Sequence, residues 1–250
     1  MPSYPADSVV HILNERSCSY PSCKNSKLKG AAMKRCAQCQ TVYYCSPACQ
    51  RADWPQHKRW CRKEVDNAKR EQSLIDKGAI RPGVAEDFDA WFAAMGAQLF
   101  IWICVHGLEI YKDPTNIQTK FVHLALRERR QRSNSPLKLF EYVKIEVYDR
   151  HLLPIMLPDF ASELVEQYRE YDEQAKGQGK AGVALLITGV APPEGTVGLE
   201  GICRTSPVIL QIDDVNKSED IPQWKDLVKD IIDNGRSIKR MMAERQQLGI

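Results

Sequence analysis

The chain has 250 residues, a net charge of +3 and nine cysteines. Seven of the nine fall between positions 18 and 61. An odd count, crowded into one part of the chain, excludes a secreted disulfide scaffold.

The N-terminus, "MPSYPADSVVHILNERSC", lacks a basic stretch leading into an apolar core, so no secretory signal is expected. In the reducing cytoplasm or nucleus that this implies, clustered cysteines with a histidine read as metal ligands. They occur in pairs: Cys18 and Cys23, Cys36 and Cys39, Cys45 and Cys49, His57 and Cys61. Eight ligands satisfy two tetrahedral ions. Thiolate with one imidazole selects zinc over magnesium or calcium, and with no open position both sites are structural rather than catalytic. Cys36-Ala-Gln-Cys39 is a tight turn that can present two sulfurs to one ion. Ser46-Pro47 reads as the cap and first residue of a short helix. Asp53-Trp54-Pro55 is expected to end that helix and start a second, with His57 and Cys61 at i and i+4 on one face.

The order of ligand types resembles that of the MYND finger, in which histidine is seventh of eight. The residues carrying the resemblance are Cys36-x-x-Cys39, Tyr44-Cys45-x-x-x-Cys49-Gln50, Asp53-Trp54 and His57-x-x-x-Cys61. The first pair departs from the family, with four intervening residues where two are usual. The resemblance implies cross-bracing: one zinc on Cys18, Cys23, Cys45 and Cys49, the other on Cys36, Cys39, His57 and Cys61. It also implies a protein-interaction role, capture of a short proline-rich peptide. Gln50 and Trp54 occupy the positions that line the groove in peptide-binding members. A polar groove position between the third and fourth ligands is Ala37 here. An aromatic wall with an amide donor suits a preformed extended peptide; the bland alternative is that Trp54 plugs a very small core.

Charge is partitioned. Residues 16–63 hold eleven Lys or Arg and one acid, Asp53, a net of +10, which leaves −7 on the rest of a +3 chain. Such a surface could meet nucleic acid or an acidic partner. Part of it offsets the thiolates, so nucleic acid is the weaker expectation.

Residues 64–83 are polar and end in Arg-Pro-Gly, a helical extension followed by a linker. The expected domains are therefore a zinc module at 15–64, the extension at 65–83 and a larger domain at 84–250. In that domain, Phe88, Trp91, Phe92, Met95, Leu99, Trp102, Ile103 and His106 fall on one helical face. Ala90 to Leu108 holds no charge, nearly the length of a membrane span. Its glycines and glutamine, and the lack of basic flanks, favour a buried helix across a sheet, with no membrane insertion. Next, Val122, Leu124 and Leu126, then Val143, Ile145 and Val147, alternate as a hairpin with one buried face. Phe160 to Glu173 reads as an amphipathic helix and "QAKGQGKAG" as a loop. "VALLITGV" and "SPVILQID" read as a second hairpin. A helix from about Pro222 to Gln247, with Gly235 as a break point, closes the chain.

The fold class is α+β: a small binuclear zinc module with two short helices, then an α+β domain with a mostly antiparallel sheet and long flanking helices. No phosphate loop, nucleophile elbow or H-E-x-x-H is present, and Cys104, His106, His123, His151 and Cys203 are isolated. Some MYND fingers are inserted in SET methyltransferases, which need a segment before the finger and an Asn-His motif after it. Here 17 residues precede Cys18, and no Asn-His dipeptide occurs. The expected function is a zinc-dependent interaction protein and not an enzyme. The alternatives are an enzyme whose site in 84–250 carries no readable motif, and nucleic-acid binding by the finger's basic face. The partner, the pathway and the oligomeric state are not set by the sequence.

Overall fold

The computed structural model describes residues 18–20, 22, 23, 33–129, 133–158, 161–191, 202–216, 218, 220–236 and 238. Expectations for Arg16, Lys24, Lys27, Lys29 and the helix beyond position 238 lie outside these residues. The chain divides into two compact units, Met1–Gly78 and Ala79–Ile250.

In the first unit, two short strands, β1 (Lys34–Arg35) and β2 (Tyr43–Tyr44), pair antiparallel. The turn between them closes when Cys36 N–H donates to the Val42 carbonyl at 2.9 Å and Gln40 N–H to that of Cys36 at 3.0 Å. Helix α1 (Pro47–Asp76) follows. Ser46 caps it, its hydroxyl accepting from Cys49 N–H at 3.2 Å, and Pro47 takes the first position, where a missing N–H is harmless. The expected stop at Asp53-Trp54-Pro55 does not occur: one 30-residue helix replaces the two short ones, with Pro55 inside it. A proline there removes a backbone bond to Arg51 and crowds its carbonyl. The helix holds because Cys49, Asp53, His57 and Cys61 recur every four residues and anchor one side of it. Beyond Cys61 the helix is mostly solvent-exposed and ends at Lys77, with Gly78 at φ +68°.

The second unit opens with α2 (Val84–Met95) and α3 (Ala97–Gly107). These are not the single helix the apolar face suggests. Gly96 adopts φ 77° and ψ 157°, open only to glycine, and the two helices meet at an 80° bend. Among the described residues no single helix is long and apolar enough to cross a bilayer. The pair passes by composition, yet Phe88, Trp91, Leu99, Ile103 and Cys104 are completely buried. A short helix, α4 (Asn116–Thr119), leads into β3 (Lys120–Glu128) and β4 (Phe140–Asp149). Then come α5 (Leu153–Met156), α6 (Ala161–Gly177), β5 (Gly182–Val190), β6 (Ile202–Leu210), α7 (Ile212–Asn216) and α8 (Trp224–Asn234).

The sheet order is β4-β3-β5-β6, antiparallel except for the parallel central pair β3 and β5. Both expected hairpins are present. Helix α6 packs with Phe121, Val183, Leu185 and Ile187 on one face. On the other, α3 and α8 meet the sheet, with Gly107 of α3 close against Val122 and Trp224. Strand β3 is therefore buried on both faces from Phe121 to Leu126, not on one, because it is central. The expected alternation in β4 is also interrupted. The register slips between Ala125, opposite Lys144, and Leu126, opposite Tyr142, which leaves Val143 in a bulge. Helix α6 runs to Gly177, into what reads as loop, and α8 ends at Gly235 in the left-handed conformation.

Candidate metal centre

Four sulfurs converge in one group and three sulfurs with an imidazole in another. Cys18, Cys23, Cys45 and Cys49 form the first; Cys36, Cys39, His57 and Cys61 form the second. In each, all ligand atoms lie within 4.8 Å of one another. In the first group Cys23, Cys45 and Cys49 are separated by 3.5, 3.6 and 3.7 Å. In the second Cys36 and Cys61 lie 3.7 Å apart, and Cys39 Sγ is 3.6 Å from His57 Nε2. A tetrahedron with Zn–S bonds of about 2.3 Å has edges of about 3.8 Å, so both groups fit that ion. Each draws one pair from before β2 and one pair from after it, so the two are cross-braced. Cys18 joins its group despite the longer interval to Cys23. That loop is tied to β2 by Ser19 N–H donating to Tyr43 O at 2.8 Å and Tyr43 N–H to Ser19 Oγ at 3.3 Å.

The electrostatics also call for a cation. Burial, and then the backbone N–H of Cys39 and the His57 ring, set the Cys36 thiol at about 6: burial raises it and the donors win. Burial and the neighbouring Cys36 sulfur push Cys61 up to about 12. Two sulfurs this close do not both carry charge unless a cation lies between them. Further side chains reach the sulfurs. Thr41 Oγ1 donates to Cys39 at 3.1 Å, the Gln50 amide donates to Cys36 at 3.8 Å, and Gln38 lies 3.4 Å from Cys61. The bonds donated by Thr41 and Gln50 orient the ligands and spread their charge.

The plug of this small core is Tyr44 rather than Trp54. Tyr44 is 1% exposed, and its hydroxyl donates to Asp53 Oδ2 at 2.6 Å. Burial and then this bond hold the phenol protonated far above its usual range. Its ring meets His57 edge-on at 6.0 Å. Sequence reasoning missed this pair; the available signal was a single acid in a strongly basic stretch. Trp54 is 36% exposed and also stands edge-on to His57 at 6.0 Å. Gln50 is half-buried, with its amide turned inward onto Cys36.

In the second unit Cys104, His106 and His123 are core residues, His151 is exposed and Cys203 is half-buried. They form no metal-ligand group among the described residues.

Residues 18–61 match the family model of the MYND finger. The "SET domain and MYND-type zinc finger protein 6" of Schizosaccharomyces pombe is 47% identical over 47 residues, 19% of this chain and 9% of the relative. The "N-lysine methyltransferase SMYD2-A" of Danio rerio is 39% identical over 57 residues, 23% and 12% respectively. The "Zinc finger MYND domain-containing protein 10 homolog" of Drosophila melanogaster is 59% identical over 32 residues, 13% and 7%. The chain thus spans about a tenth of the length of the curated relatives it matches. No solved structure matches the chain significantly.

Proposed function

We propose, taking residues 18–61 as a MYND-type finger that binds two zinc ions, that the chain is an intracellular adaptor whose finger captures a short proline-rich peptide of a partner protein. Cys18, Cys23, Cys45 and Cys49 hold one zinc, and Cys36, Cys39, His57 and Cys61 the other. The ions supply folding free energy to a segment too small for an apolar core of its own. The methyltransferase names belong to proteins matched over the finger alone, so the finger's binding role is carried over and their chemistry is not. The unit Ala79–Ile250 serves as a scaffold or second binding surface.

The observation supporting this reading is Trp54: a large aromatic left 36% exposed on a helix held by the ligand clusters. A tryptophan in this position offers a flat wall for proline rings at little entropic cost. Gln50, at the groove's edge, offers its carbonyl while its amide meets Cys36. Trp54→Ala should abolish retention of proline-rich peptides while two zinc ions per chain stay bound. An aromatic anchor of this kind typically accounts for about 2 kcal/mol or more, enough to lose a micromolar contact. Retention that survives the change in a zinc-replete finger would refute the groove.

A further inference from the structure

The first half of α1 presents an exposed stripe that contains cations and no accessible acid. Arg51, Trp54, Pro55, Lys58 and Arg62 are all exposed. Their spacings of three, four and seven residues set the three cations along one side of the helix, with Trp54 beside them at the border of the ligand face. From Pro47 to Lys63 the sole acid is Asp53, which is 3% exposed and engaged by Tyr44. Among the described residues Arg51, Lys58 and Arg62 have no carboxylate partner. The other polar group next to the tryptophan, the Gln50 amide, is turned onto Cys36, and Ala37 supplies none. Beside the neutral Gln50 carbonyl, the charge at the rim of Trp54 is therefore positive.

We propose that the Trp54 surface selects proline-containing peptides flanked by acidic residues, with Arg51 and Lys58 as the specificity-determining residues. This rests on the peptide-capture reading above and adds the charge of the ligand to it. The tryptophan takes the apolar centre of the peptide, and the two cations, one turn away on either side, meet carboxylates placed just outside it. Rim charges of this kind set partner choice and association rate more than raw affinity. A phosphate backbone would meet the same cations, but among the described side chains of the helix Trp54 is the one exposed aromatic that could stack on a base; nucleic-acid surfaces interleave several.

The test uses the zinc-loaded full chain and three labelled peptides with one proline-rich core, flanked by Glu, Ser or Lys, followed by fluorescence anisotropy. The Glu-flanked peptide should bind about fivefold tighter than the Ser-flanked one at low salt, with the Lys-flanked weakest. The gap should narrow as the Debye length contracts to about 8 Å at physiological salt. Arg51→Glu with Lys58→Glu, both at exposed positions, should invert the order with zinc content unchanged. Equal affinity for all three peptides would overturn the charge selection and leave the Trp54 groove standing. No binding of any peptide by a zinc-replete chain would remove both readings. A labelled thymidine homopolymer that outcompetes the Glu-flanked peptide would show that the stripe takes phosphates, and would overturn the proposal.

Discussion

Two histidines in the second unit, His106 and His123, sit in the core with Nδ1 unpartnered among the described residues. Burial holds both below the ordinary imidazole range. Lys144 adds to this at His123, whereas Glu146 acts against it there and Asp220 does so at His106. A folded-state value below the unfolded one means that the unfolded chain binds more protons below about pH 6.5. The stability contributed is complete above that pH and is lost as pH falls through it. Chemical denaturation on either side of about pH 6.5, with zinc content followed in parallel, should show weaker resistance on the acid side. His123→Gln should shallow that dependence. An unchanged slope in the variant would assign the effect elsewhere. That these residues were core histidines was legible from the apolar runs around them. The Tyr44–Asp53 bond was not, since nothing in spacing says that the one acid of a basic finger points inward.

At the scale of elements, α1 and the α2–α3 pair mark the limits of reading by pattern. Proline is a sound local signal for a helix boundary. In α1 it is overridden by four anchored residues, three of them ligands read from the sequence and the fourth, Asp53, revealed by its contact with Tyr44. Replacing Pro55 with Ala restores a donor toward the Arg51 carbonyl. Because proline in a helix interior costs about 3 kcal/mol relative to Ala, the variant should melt higher and keep both zinc ions. A lower melting temperature would mean that the ring makes a compensating contact. In the α2–α3 pair the apolar period was read correctly and the bend was missed, since periodicity carries no information about a single glycine's φ. In β4 the alternation was real, but it slipped at Val143, where a bulge lets one residue escape the pleat. The ligand pairs were the most legible feature, because zinc chemistry restricts both residue type and spacing.

The whole molecule joins two units stabilised by different means, a metal-organised one and one with its own apolar core. Excess chelator should therefore erase the finger's thermal transition and leave that of Ala79–Ile250 in place, seen by calorimetry as the loss of one of two endotherms. Loss of both would mean that the units fold as one. The bend at Gly96 has a consequence for synthesis. Helix α3 lies against β5, β6 and α8, and the last of these ends at Asn234. All three emerge from the ribosome after the charge-free run Ala90–Leu108. At about 5–20 residues per second that run waits roughly ten seconds for its cover. A sequence close to a membrane span in length and composition is thus presented uncovered during translation. In the folded unit Gly96 divides that run into two helices set at 80°, so among the described residues no single helix of spanning length forms.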